Sequence, residues 1–222
     1  MGKIACARLY PRGVTVELVF TERRSDLTEA RAANFERLRE RLKTASGEDV
    51  REVHYEDVDP DRLARASSVV LSGSSAPWSA RDPVELDRLG EAVRAAARPT
   101  LGICGGMQLL ARFAGATIEV GKSVEHGFLP LRVTDRSGLL RDLPEEAVVF
   151  QDHTDEIGAL PDGFRVLASS EACAVQAFAD PKRRWWGTQF HPEESNAEHP
   201  YGALALERFF ELARESGSSQ TP

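Results

Sequence analysis

The chain has 222 residues, 41% hydrophobic and 28% charged, which suits one large soluble domain with its own core. Its net charge of -7 argues against nucleic acid as a partner, because phosphate binding calls for clustered Lys and Arg, and the one basic run, Lys182-Arg183-Arg184, reads as a solvated turn. No apolar run approaches the ~18 residues of a membrane span and the N-terminus lacks a signal-peptide pattern, so no membrane partner and a cytoplasmic location are expected.

Two strand-like runs, Ile4–Leu9 and Val14–Phe20, flank a turn at Pro11-Arg12-Gly13. Leu27–Ala45 reads as a long amphipathic helix, with Thr28 near its start and apolar positions (Ala30, Ala33, Phe35, Leu38, Leu42) close to helical spacing. Val50–Tyr55 is a predicted strand. Ser67–Leu71 is a β-branched strand running into the turn Ser72-Gly73-Ser74-Ser75, and Pro83–Ala97 is a helix capped by Asp82. Pro99–Ile103 is a buried strand, followed by a sharp turn at Cys104-Gly105-Gly106 and a helix over Met107–Ala114.

From Thr117 the pattern becomes β-rich, with short strands near 117–120, 129–134, 147–151, 164–169, 174–179 and 185–190. Tyr201–Arg214 closes the chain as a helix. Strand–helix alternation followed by extra strands predicts an α/β fold with an open sheet: a single domain over residues 1–215, with 216–222 as a disordered tail.

Three cysteines, Cys6, Cys104 and Cys173, make no disulfide framework, and without CxxC or closely spaced Cys/His neither a metal nor another cofactor is expected. Cys104 differs from the other two. It stands where a buried strand turns into a helix, among Gly102, Gly105 and Gly106, which is the layout of a nucleophile elbow. Unpaired N–H groups at the helix start lower a thiol's pKa and can hold an oxyanion. Taken alone, the position is also open to a structural cysteine in a glycine-bearing turn. A nucleophile needs a base, and a base needs an orienting partner. A predicted strand delivers His191, and Glu193 lies two residues on; in an extended segment both project the same way and can pair.

Taken together, these stretches place the chain. Gly102-Ile103-Cys104-Gly105-Gly106-Met107-Gln108 resembles the G-[IV]-C-x-G-x-Q signature of class I (triad-type) glutamine amidotransferases, and Gly187-Thr188-Gln189-Phe190-His191-Pro192-Glu193 resembles their G-x-Q-F-H-P-E signature. The resemblance implies a mostly parallel, flavodoxin-like sheet flanked by helices. It implies Cys104 as nucleophile, His191 as base and acid, and Glu193 as orienting carboxylate. Glutamine would form a γ-glutamyl thioester on Cys104, releasing ammonia and then glutamate. Gln108 matches a residue that helps hold the substrate. Val69–Pro77 resembles the family's strand followed by S-G-G-P, with Ser74 in place of the second glycine and the proline later. That places oxyanion-hole N–H groups at Gly73, Ser74 and Gly105.

Gln151–Ile157 resembles the S-H-G-D-x-V stretch of the glutaminase units of GMP synthases, which puts His153, Thr154 and Asp155 on the substrate side; a local hydrogen bond is the other reading of His153. The likeness runs roughly from Val69 to Leu212, whereas residues 1–65 fit poorly and are a candidate partner-docking region. With no Walker-type loop in the chain, the ammonia acceptor is expected on a separate synthase partner. Hydrolysis of another γ-glutamyl amine or peptide, and a non-catalytic module on the same fold, are the alternatives.

Overall fold

A computed structural model describes residues 15–218, and the strand over Ile4–Leu9, its turn and Cys6 lie outside them. The first described unit is strand–helix–strand. Strand β1 (Thr15–Phe20) leads through a loop to α1 (Glu29–Ser46), and β2 (Asp49–His54) returns parallel to β1. Helix α1 starts where its cap predicts: the Thr28 side chain accepts from the Arg31 N–H at 3.3 Å. It ends at Gly47, which takes the left-handed conformation (φ 69°) that glycine adopts without steric cost. Phe35, Leu38 and Leu42 form its buried stripe, and most of its other positions are charged or small.

A one-turn helix, α2 (Pro60–Ala64), follows, which the element pattern above does not include. Its signal is nonetheless present in the sequence, with Asp59 capping the Asp61 N–H and Pro60 in the first turn. Then come β3 (Ser68–Leu71), α3 (Pro83–Ala96), β4 (Thr100–Ile103) and α4 (Gly105–Phe113). Asp82 caps α3 as expected, at 2.9 Å from the Val84 N–H.

The β-rich half holds β5 (Ile118–Glu119), β6 (Glu125–Val133), β7 (Glu146–His153), β8 (Glu156–Ile157), β9 (Arg165–Ser169), β10 (Ala177–Asp180) and β11 (Trp185–Thr188), before α5 (Tyr201–Ser218). Strands β6 and β7 are longer than expected because they pair continuously from Glu125↔His153 to Arg132↔Glu146. β10 starts later than expected, since Cys173 turns the chain onto Val175 through local hydrogen bonds before the ladder begins. Helix α5 runs past Arg214 to Ser218, into the segment expected as tail.

Among the described residues nine strands form one sheet in the order β2-β1-β3-β4-β11-β10-β9-β6-β7. The first five are mutually parallel and the rest antiparallel. The fold class is therefore the α/β sheet flanked by helices that the sequence predicts. One core lies between the sheet and α1 with α5, centred on Phe35, Leu101, Phe190 and Phe209. The other lies on the opposite face under α3 and α4, centred on Leu71, Leu89, Leu109 and Trp185. Helix α4 packs so closely on β3 that a side chain at Gly106 would meet the Leu71 carbonyl oxygen at 2.4 Å.

Strand order reverses at β1, with β2 on one side of it and β3 on the other. In open parallel sheets the crevice outside the carboxyl ends of strands at such a point is the usual ligand site. The carboxyl ends of β1, β3, β4 and β11 lead respectively into Thr21-Glu22, Ser72–Ser75, Cys104 and Gln189–His191.

Candidate active site

Cys104 occupies the turn between β4 and α4, and its backbone is strained: φ is 47° and ψ is -110°, a region that side chains rarely enter. Such a position costs about 1–3 kcal/mol. The surroundings hold it there. Cys104 N–H donates to Thr188 C=O of β11 at 2.7 Å, and its own carbonyl accepts from Gln108 N–H at 3.1 Å. The thiol sits at the amino end of α4, where unpaired N–H groups favour negative charge.

His191 follows β11. Its N–H donates to Phe150 C=O at 2.8 Å, and its Nδ1 pairs with Glu193 Oε1 at 2.9 Å. The expected pair forms, but for a different reason. Pro192–Glu194 is a 3₁₀ turn, and that turn, not an extended segment, folds Glu193 back onto the ring. Helix α1 braces it: Arg37 reaches Glu194 at 3.2 Å and Arg41 donates to Ser195 C=O at 2.9 Å.

Burial alone would lower the pKa of His191. The Glu193 carboxylate and the Cys104 sulfur facing the ring outweigh it and hold the imidazole well above its usual value. The arrangement favours the protonated imidazole beside the sulfur. Gly73 closes the gap, since a side chain there would lie 3.0 Å from His191 Cε1 and 3.7 Å from Cys104 Cβ.

The loop after β3 brings Ser74 to Gly105: a Cβ on Gly105 would lie 3.1 Å from Ser74 N. Ser74 is not among the described non-glycine residues with positive φ, so serine is compatible with this loop. Thr21 stitches the loop to β1, its N–H donating to Ser72 Oγ at 3.0 Å and its hydroxyl to Ser72 C=O at 3.0 Å. Arg81 lies beneath the loop, stacked 4.9 Å over Trp78 and donating to Thr21 C=O.

Two clefts meet at Cys104. One, of about 480 Å³, is lined by Ser74, Trp78, Gln108, Thr154 and Asp155, with His153 at its wall. Gln108 is fixed on several sides: its Nε2 donates to Asp155 C=O at 2.9 Å and to Gln189 Oε1 at 3.1 Å, while Trp78 Nε1 donates to its Oε1 at 3.3 Å. The other cleft, of about 140 Å³, opens between α1 and the His191–Glu193 turn and includes Glu22, Arg31, Phe35 and Gly73. The structure thus brings together Cys104, His191, Glu193, Gly73, Ser74, Gly105, Gln108, Thr154 and Asp155. His153 is nearby, but its side chain is 1% exposed and its Nε2 pairs at 3.1 Å with Glu125 of the neighbouring strand β6, a contact across 28 positions and not one within its own loop.

That bond belongs to a second Cys–His–Glu group. Ligating atoms of Glu125, His153 and Cys173 lie within 4.8 Å of one another. They are already engaged: Glu125 also accepts from Gln176 at 2.5 Å, and the Cys173 thiol, pushed up to about 12 by burial, donates to Val175 C=O at 3.6 Å. Burial drives His153 below its usual pKa despite the carboxylate opposite.

Sequence reasoning missed three side chains at the site. Gln189 donates to Cys104 Sγ at 3.6 Å and accepts from Gln108, so it bridges the two. Its place inside the second signature is the signal that could have found it. Trp78 follows a proline in the loop. Glu22 has no signal in the sequence.

The family model for glutamine amidotransferase class-I matches residues 30–211. That match begins inside α1, so the first helix belongs to the shared fold, and the expected start of the likeness at Val69 is too late. A glutamine-hydrolyzing GMP synthase subunit from Picrophilus torridus is 34% identical over 160 residues, 71% of this chain and 82% of that one. The glutamine-hydrolyzing GMP synthase of Lactobacillus delbrueckii subsp. bulgaricus is 43% identical over 112 residues, 50% of this chain but only 21% of that longer protein. Among solved structures, a Thermoplasma acidophilum protein described as a GMP synthase subunit superposes with a TM-score of 0.77 at 29% identity, covering 93% of this chain and 97% of its own.

Proposed function

The chain belongs to the class-I glutamine amidotransferase family, and on that premise we propose that it hydrolyses L-glutamine to glutamate and ammonia through a thioester on Cys104, as one amidotransferase domain whose last helix carries it past residue 215. The observation that carries this reading is the His191–Glu193 pair at 2.9 Å, which with the strained, glycine-flanked Cys104 keeps the imidazole protonated beside the sulfur.

The proposed steps use that geometry. Glutamine enters the larger cleft with its amino-acid head between Gln108 and Asp155 and its side-chain amide over Cys104. The thiolate attacks the amide carbon, and the carbonyl oxygen becomes an oxyanion held by backbone N–H groups of the Gly73-Ser74 loop and Gly105. His191 Nε2, the nitrogen not used by Glu193, passes its proton to the nitrogen of the leaving group, and ammonia departs as the C–N bond breaks. The neutral imidazole then takes a proton from water as its oxygen attacks the thioester. The second tetrahedral species releases glutamate, and the sulfur leaves as thiolate beside the reprotonated His191.

Ammonia freed into neutral water becomes mostly ammonium, which is not nucleophilic, so an acceptor must lie close. Similarity to glutamine-hydrolyzing subunits of GMP synthases supports a separate synthase partner whose acceptor is a nucleotide. No described helix is long and apolar enough to cross a membrane.

The test is stoichiometric. The purified chain, alone and with its co-purifying partner, is given glutamine, and ammonia and glutamate are measured. Equal yields that vanish in Cys104→Ala are expected. Ammonia release that survives this substitution removes the proposal.

A further inference from the structure

Just past β1, Glu22 is 2% exposed, and it accepts on one oxygen from two donors of a single residue. Its Oε1 lies 2.6 Å from the Ser75 N–H nitrogen and 3.0 Å from Ser75 Oγ. Its Oε2 lies 3.1 Å from Arg31 Nη1 of α1. Ser75 immediately follows Ser74, whose backbone nitrogen stands beside Gly105. With proline only at position 77, Ser74, Ser75 and Ala76 each keep a free φ, so the loop needs an outside fastening to hold one shape.

We propose that Glu22 is a positioning residue for the oxyanion loop: its carboxylate, oriented by Arg31, fixes Ser75 and so aims the Ser74 N–H at the oxygen that becomes charged when Cys104 attacks. The inference rests on the glutaminase reading. Hydrogen bonds to an ionised carboxylate are about twice as strong as neutral ones, and burial keeps water from competing for them. Thr21 secures the near end of the same loop through Ser72, with Arg81 donating to the Thr21 carbonyl and stacking on Trp78 at the loop's other end, and Glu22 secures the residue just after Ser74. Glu22 hydrogen-bonds to Ser75 and forms an ion pair with Arg31, not with Cys104 or His191, so the effect acts on loop position and not on the nucleophile's charge.

The experiment compares full-length wild type with Glu22→Ala and Glu22→Gln. Misplacement of one donor by about 1 Å predicts kcat for ammonia release roughly 10- to 100-fold lower in Glu22→Ala, with KM for glutamine changed less than about threefold. Glu22→Gln keeps an oxygen for Ser75 and should recover to within about fivefold of wild type.

Two reagents separate positioning from loss of structure. Iodoacetamide alkylates Cys104 by displacement at a saturated carbon and forms no oxyanion, so its rate at Cys104, read by peptide mass mapping, should match wild type in Glu22→Ala. A glutamine-mimicking chloroketone is attacked through a tetrahedral alkoxide and should slow in step with kcat. Wild-type kcat in Glu22→Ala, equal slowing of both reagents, or no recovery in Glu22→Gln overturns the inference. A wild-type chain that neither releases ammonia nor reacts with the chloroketone removes the glutaminase reading and this inference with it; normal wild-type behaviour beside an unaltered Glu22→Ala removes this inference alone.

Discussion

The described residues contain two groups of cysteine, histidine and glutamate, and they behave in opposite ways. Cys104, His191 and Glu193 stand at the carboxyl edge of the parallel strands, at a helix start, where two clefts meet. Glu125, His153 and Cys173 sit among β6, β7 and the turn before β10. In the first group histidine is held above its ordinary pKa, because the carboxylate and sulfur outweigh burial. In the second, burial outweighs the carboxylate, so histidine falls and the thiol rises to about 12. The same three residue types therefore hold a histidine's proton beside an open cleft in one setting and favour a neutral histidine and thiol in a closed hydrogen-bonded cluster in the other. Residue identity does not decide between them; the helix terminus, the glycine-lined approach and access to a cleft do.

The contrast breaks most visibly at the sulfurs. Cys104→Ala should lower glutamine hydrolysis on the order of 10⁶-fold, to background, as expected on losing a nucleophile. Cys173→Ala should leave kcat unchanged and cost roughly 1–2 kcal/mol of stability for the lost buried group. An ammonia-release assay beside a denaturant titration reads both, and a Cys173→Ala chain that folds but does not turn over would merge the two groups into one. The carboxylates come next. Glu193→Gln should slow turnover about 10²- to 10³-fold by weakening the proton carrier, whereas Glu125→Gln should act on stability alone; initial rates at saturating glutamine separate them.

The smallest effect concerns protons. His191 binds its proton more tightly folded than unfolded, so its pairing stabilises the fold fully below the unfolded value of about 6.5 and less as pH rises through the higher folded value. His153, shifted down, has the opposite sign: its neutral form is favoured by folding, and that contribution is lost as pH falls through its folded value. Histidine ring protons followed by NMR should titrate above the ordinary histidine value of about 6.5 for His191 and below it for His153. In Cys104→Ala the His191 titration should move down while His153 stays in place. Titration of the two rings together would dissolve the distinction.

How much of this is readable in the sequence depends on how local the cause is. The elbow, the caps at Thr28 and Asp82 and the parallel strands are written in neighbouring residues, and they fold as read. The His191–Glu193 pair is anticipated through the wrong geometry, because two residues of spacing fit both a strand and a 3₁₀ turn. The braces are not legible. Glu22 meets Ser75 across 53 positions, and His153 meets Glu125 and Cys173 only once three segments have packed. Family likeness gives no guide either: α1 falls in the stretch read as fitting poorly and as a candidate partner-docking region, yet Arg31, Arg37 and Arg41 all reach the site or the turn that carries it.

The backbone angle at Cys104 has one more consequence. At φ 47° glycine would sit without strain, so the residue best suited to the fold at position 104 is one that has no chemistry. A laboratory lineage selected only for heat resistance would be drawn towards glycine there, gaining robustness while falling silent. Directed evolution of this scaffold must therefore ask for turnover in every round.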